Sequence, residues 1–245
     1  MKNSIKLIAL DMDGTLLDNE QNVSSQNKEA IRLAKRQGIP TVLSTGRSLL
    51  TCREYAESLE LSSFLVTSNG SEIWDSSFKL VDRNLIEHAH IEKLWELKQK
   101  YNIYFWASTT ERLWREEFPD KIVEHEWLKF GFDIPDDSIR EAVLGELQES
   151  KQLEITNSSP TNIEINAVGI NKAKALMKVC ERLDITMDNV IAMGDSLNDI
   201  AMIEEAGVGV AMGNAQEVVK EKADWITSPN IENGVAKAIH HWVLS

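Results

Sequence analysis

Ile5–Asp18 reads IKLIALDMDGTLLD, and the order of residue types within it decides the architecture. The apolar run of Ile5–Leu10 has the pattern of a strand buried on both faces, which occurs where helices cover both sides of a sheet. The run stops at two carboxylates one residue apart, Asp11 and Asp13, followed at once by Gly14 and Thr15. Carboxylates at i and i+2 repel each other, so a structural role alone does not favour them. A metal ion or a cationic partner makes sense of the arrangement.

Outward from this strand, helix and strand alternate. Ser24 or Ser25 caps a helix through Gln37, with Ala30, Ile31 and Ala34 on one face and Gly38 as its stop. IPTVLSTG is a second buried strand, SLLTCREYAESLE a helix, and FLVTSNG a third strand; SEIWD and FKLVD form a hairpin. The rhythm returns after residue 166: NKAKALMKVCERL is helical, NVIAMG a strand, LNDIAMIEEA helical and GVGVAM a strand. AQEVVKEKA, DWIT and GVAKAIHHWVL close the chain as helix, strand and helix. Such alternation predicts an α/β fold, a parallel sheet with helices on both faces. Between the halves the pattern changes. Two hairpins, NIYFWAS with RLWREE and KQLEITNSS with TNIEINA, are separated by expected helices near 87–100, 120–130 and 136–149. Residues 83–166 are therefore expected to be an inserted α+β domain, with 1–82 and 167–245 forming the core.

The bulk properties set limits. The 245 residues are 42% hydrophobic and 27% charged, ordinary for a globular protein. A net charge of −13 argues against binding nucleic acid or an anionic membrane surface. Cys52 and Cys180 are too few for a disulfide framework and fit a reducing compartment, and no apolar stretch is long enough for a signal or spanning segment. The expectation is a cytoplasmic protein, with oligomeric state left open.

In an open parallel sheet, ligands bind at the carboxyl ends of the strands. DMDGT, STGR, TSNG and GDSLND all fall there, although they span nearly the whole chain. Asp11, Asp13 and Asp195 offer hard oxygen ligands suited to Mg²⁺. Thr45 adds a hydroxyl and Gly46 an unobstructed N–H just before a helix, a place for an anion. Lys172 adds a positive charge. Metal, hydroxyl, amide and lysine describe a phosphoryl-transfer site. One of the paired carboxylates can attack phosphorus while its neighbour protonates the leaving oxygen.

DMDGTLLD, STGR, GINKAKAL and GDSLNDIAMIEEAG, in that order, resemble the haloacid dehalogenase superfamily. The position of the insertion and the tail GVAMGNAQEVVKEKADWITSPNIENGVAKAI look like its Cof-type subfamily. The resemblance implies a Rossmann-like core, a C2B-type cap over it, and Mg²⁺-dependent hydrolysis of small phosphorylated metabolites through an aspartyl-phosphate. It further implies Asp11 as nucleophile and metal ligand, Asp13 as general acid/base with its backbone carbonyl on the metal, and Asp195 as the acidic metal ligand. Thr45, Lys172 and Asn198 would contact phosphate, and Asp199 would support the metal or its waters. Asn69 and Gly70 resemble a turn at the mouth of the site. One departure is Ala173, where the family usually has Gly.

Less specific residues divide between site and scaffold. Arg47 is a candidate substrate contact. His88 and His90 do not share a helix face and are expected at the surface, as are His240 and His241. Trp95, Trp106, Trp114 and Trp127 load the insertion with aromatic residues, for which core packing is the default. Trp106, Arg112, Trp114 and Arg115 sit on or near its first hairpin and are candidate substrate contacts. Two other functions fit the same site: a phosphosugar mutase, and a catalytically idle regulator that binds a phosphorylated metabolite.

Overall fold

The computed structural model describes residues 4–149 and 151–244. Its larger sheet has eight strands: β1 Leu7–Leu10, β2 Thr41–Ser44, β3 Leu65–Thr67, β4 Glu72–Trp74, β5 Leu80–Arg83, β11 Val190–Gly194, β12 Val208–Ala211 and β13 Trp225–Ile226. The intervening β6 Tyr104–Thr109, β7 Leu113–Trp114, β8 Trp127–Asp133, β9 Leu153–Thr156 and β10 Asn162–Ala167 form a second, five-stranded sheet. Six strands of the larger sheet run parallel in the order β13-β12-β11-β1-β2-β3, and the β4–β5 hairpin extends it antiparallel.

All four residues of β1 are buried, and the two-residue period of a strand explains why. Ile8 and Leu10 pack with Ala30, Ile31 and Ala34 of helix α1 (Ser25–Arg36) and with Cys52 of α2 (Leu49–Ser58). Leu7 and Ala9 face the opposite side, against Ala175, Leu176 and Val179 of α5 (Lys172–Arg182) and Met202 of α6 (Ile200–Glu205). Apolar runs of this kind need cover on both faces, and the helices between the strands supply it.

In the five-stranded sheet, ordered β7-β6-β8-β10-β9, the alternation separates two chemistries. Phe105, Ala107, Phe130, Phe132, Ile163 and Ile165 pack with Ile91 and Leu94 of α3 (His88–Tyr101) and Val143 of α4 (Asp137–Glu149). Trp106, Ser108, Lys129, Gly131 and Glu164 occupy the alternate positions, which face the larger sheet across a cleft.

One element departs from the sequence expectation. Residues near 120–130, expected to be helical, form a single 3₁₀ turn at Ile122–Glu124 and then β8, the middle strand of the second sheet. WLKFGFD is aromatic-rich and contains a glycine, both of which suit a strand. Lys129 disguises it by placing a charge in the middle. His88, His240 and His241 are exposed; His90 is half-buried, its Nε2 3.0 Å from Gln152 Oε1; and both cysteines are buried and free. Among the described residues, no helix is long and apolar enough to cross a membrane.

Candidate active site

The carboxyl ends of β1, β2, β3 and β11 bring four of the polar sequence clusters to one rim. Asp11 follows β1 directly and is buried. Lys172, the first residue of α5, is also fully buried; its Nζ donates to Asp11 Oδ1 at 2.6 Å and to Asp199 Oδ1 at 2.7 Å. Asn171 caps that helix by accepting from the Lys174 N–H, which sets the first turn. Ala173 packs in the core beside Lys172, so the missing glycine leaves the lysine within reach of both carboxylates.

Asp195 follows β11. It accepts from the hydroxyls of Thr15 at 3.1 Å and Ser196 at 3.0 Å. Asp199 turns its second oxygen back to the N–H groups of Asp195 (2.9 Å) and Ser196 (3.0 Å), fixing the loop that presents Asp195. Single carboxylate oxygens of Asp11, Asp195 and Asp199 all lie within 4.8 Å of one another.

Two buried carboxylates and one partly buried, against one lysine, leave this cluster with excess negative charge. The consequence shows in the proton affinities. Burial raises the Asp11 carboxyl well above its usual range, against the attraction of Lys172 and with further push from Asp199 and Asp195. Burial and the neighbouring Asp199 push Asp195 up to about 7. An all-oxygen donor set that is short of positive charge fits a hard divalent cation.

Gly14 makes the close approach possible. Its φ is +81°, and a Cβ there would lie 2.5 Å from Asp195 Oδ2. Gly14→Ala is therefore expected to displace Asp195, raising the metal concentration needed for half-maximal activity about tenfold or more, and to cost about 1–3 kcal/mol of stability. A metal titration beside a denaturant melt checks both.

Asp13 stands apart from the three-carboxylate group. Its half-exposed carboxylate is gripped by Arg47, whose Nε and Nη2 donate at 2.8 and 2.6 Å; the same guanidinium lies over the Tyr55 ring and donates to Gln21. Thr45 is fully buried, and its hydroxyl accepts from the Arg47 N–H at 3.1 Å, which leaves its proton to donate. Asn69 adopts φ +57° at the turn after β3.

The second sheet reaches into this rim through a buried ion pair that sequence reasoning did not find. Lys129 Nζ lies 2.7 Å from Glu164 Oε2, both nearly inaccessible, and donates to the Gly46 carbonyl at 3.3 Å. Asn69 donates to Glu164 at 2.7 Å, Asn198 donates to Asn69 at 3.3 Å, and Ser158 donates to the other Glu164 oxygen at 2.7 Å. The available signal was the charge inside each of two apolar strands, Lys129 in WLKFGFD and Glu164 in NIEINA, since buried charges need partners.

Between the sheets lies a cleft of about 690 Å³. Asp11, Asp13, Gly46, Arg47 and Asn198 line it from the core, and Trp106, Arg115, Lys129 and Glu164 from the insertion. Trp114 instead is buried in the core of the insertion, and Arg112 stacks over its ring at 4.1 Å, outside the cleft lining. The arrangement can hold a phosphate beside a carboxylate nucleophile while the cleft takes the rest of the ester.

The haloacid dehalogenase-like hydrolase family matches residues 8–143 and 120–239. This chain belongs to that family. It falls in the Cof-type subfamily and is a phosphatase of phosphorylated small molecules. It is 68% identical over 240 residues to the 5-amino-6-(5-phospho-D-ribitylamino)uracil phosphatase YcsE of Bacillus subtilis, covering 98% of this chain and 96% of that one. A second B. subtilis phosphatase of the same description, YwtE, is 30% identical over 95% of this chain and 96% of its own. A solved haloacid dehalogenase-like hydrolase from B. subtilis superposes with a TM-score of 0.90 at 26% identity, covering 98% of this chain and all of that one. Hydrolases of this family generally use a divalent metal, and the acidic cluster is placed to hold one. These relatives are phosphatases, and neither the mutase nor the idle-regulator alternative finds support among them.

Proposed function

We propose that this phosphatase hydrolyses 5-amino-6-(5-phospho-D-ribitylamino)uracil, with Mg²⁺ at the acidic cluster and residues 83–166 acting as the cap. The observation that carries the substrate is the 68% identity, over nearly the whole chain, to a relative described by that activity. The cleft agrees: its volume suits a ligand of several hundred cubic ångströms, and it offers both an indole and polar groups.

Asp11 attacks phosphorus, forming a carboxylate–phosphorus bond as the bond from phosphorus to the ribityl oxygen breaks. Asp13 protonates the departing oxygen and then takes a proton from the water that hydrolyses the aspartyl-phosphate. Lys172, Thr45, the Gly46 N–H and Asn198 hold the phosphoryl oxygens. Lys172 also aims Asp11 and opposes the rise in its proton affinity that burial causes. Asp11, Asp195 and the Asp13 carbonyl hold the metal; Asp199, its oxygens engaged by Lys172 and two backbone N–H groups, supports them. When bound, the metal neutralises charge on the phosphoryl group. Mg²⁺ suits few protein ligands and several retained waters. The two buried free thiols suit a reducing cytoplasm.

The test is phosphate release from this uracil ester, phosphoglycolate and several sugar phosphates, with Mg²⁺ or with EDTA. The uracil ester is expected to give the highest kcat/KM, and EDTA to abolish turnover of all. A higher kcat/KM for another ester overturns the substrate. Full activity in EDTA overturns the metal.

A further inference from the structure

The cleft-facing side of the second sheet is built in rows, because directly opposed residues on antiparallel strands share a face. One row is Trp106, Gly131 and Glu164; the next is Tyr104, Asp133 and Asn162. Gly131 leaves a gap in the first row, and the Trp106 indole fills it. A Cβ on Gly131 would stand 2.3 Å from both Cε2 and Cζ2 of that ring, closer than any real contact. The ring is held a second time by Lys129, whose Nζ lies 4.9 Å from its centroid. The same Nζ is 3.3 Å from the Gly46 carbonyl in the loop after β2, so a single side chain spans from the phosphate end of the cleft to the indole.

Trp106 thus differs from the other aromatic residues of the insertion. Trp114 and Trp127 are buried, and Trp95 stacks on Phe118 at 3.9 Å within the apolar cluster. Trp106 is half-buried, fixed on a glycine, and open to the cleft. Arg115 and Asp133 line the same cleft, and neither side chain has a hydrogen bond or ion pair to a described residue. The cleft therefore offers a flat apolar surface flanked by one unpaired donor group and one unpaired acceptor group.

We infer that Trp106, seated on Gly131, is the specificity-determining platform on which the planar heterocycle of the leaving alcohol stacks. Arg115 donates to a ring carbonyl and Asp133 accepts from a ring N–H. This rests on the substrate proposed above and assigns the part of the site that distinguishes it from a plain polyol phosphate. A stacked base is worth enough to be read kinetically, and ring hydrogen bonds left unmade add to the discrimination.

The experiment compares kcat/KM for 5-amino-6-(5-phospho-D-ribitylamino)uracil and for D-ribitol 5-phosphate, which has the same chain without the ring. Wild type is expected to prefer the ring-bearing ester. Trp106→Leu is expected to lower that preference by about 10–100-fold, the worth of one base stacked on an aromatic side chain. Trp106→Phe should keep most of the preference. Gly131→Ala, which keeps the indole but pushes it off its seat, should lower the preference in the same direction. A wild type without preference overturns the substrate and the platform together. A preference that survives Trp106→Leu overturns the platform alone and leaves the substrate standing.

Discussion

Asp11→Asn is expected to lower phosphate release by about 10⁴-fold or more, the scale on which loss of a nucleophile registers, while leaving the fold intact. An amide has no anionic oxygen to attack phosphorus, so the loss falls on kcat rather than on KM. Stability is expected to move the other way. In the metal-free protein Asp11 is a buried carboxyl whose ionisation is already disfavoured, mainly by burial and then by Asp199 and Asp195. A neutral amide of the same shape removes that burden, and Lys172 keeps Asp199 at 2.7 Å as its partner. Steady-state phosphate release and a denaturant melt in EDTA separate the two effects. Acid-quenched wild type should carry protein-bound phosphate that the variant lacks. Activity within tenfold of wild type would move the nucleophile to another residue.

The parallel core is legible in the sequence because its inner strands need cover on both faces, and a run such as LIAL has few other uses. The polar clusters at the strand ends were equally readable, because the direction of a parallel strand fixes which end its following loop occupies. Contacts made across the fold were not. Asp13 and Arg47 both stood in recognisable motifs, yet nothing local says that one grips the other with two nitrogens. Lys129 made its own strand look helical, because its neutralising partner Glu164 lies two strands away in the sequence. Trp106 and Trp114 sit on the same short hairpin. Their different fates follow from cross-strand register, which sets Trp106 opposite a glycine and places Trp114 in the apolar cluster.

Lys172→Met tests the electrostatic logic of the whole cluster, and both activity and stability are expected to suffer. Among the described residues the lysine is the one cation that pairs with Asp11 and Asp199, and it is fully buried. Removing one partner from a buried charge pair costs about 3–5 kcal/mol, because the remaining charges lose compensation without regaining water. The pH dependence carries the sign. Asp11 and Asp195 are held above their unfolded values, Asp195 at about 7 against 3.8. A carboxyl raised in this way contributes stability that is fully present below about pH 4, and for Asp195 that contribution is lost as pH rises through about 7. Without Lys172 their proton affinities rise further, so the metal-free variant should be most destabilised relative to wild type near pH 8. The gap should narrow toward pH 5, as Asp195 becomes neutral. Lys172 itself binds its proton more tightly folded than unfolded, drawn by Asp11 and Asp199 against its burial, so its own contribution is constant through this window and is lost only at strongly alkaline pH. Saturating Mg²⁺ should recover part of the stability at pH 8 and none of the activity, because charge can be replaced from the metal position whereas contact with the phosphoryl group cannot. Denaturant melts at pH 5 and 8, each with Mg²⁺ and with EDTA, decide it. A loss of stability that is equal at both pH values would mean that Lys172 stabilises the core by packing, and that the carboxylates beside it are compensated by other means.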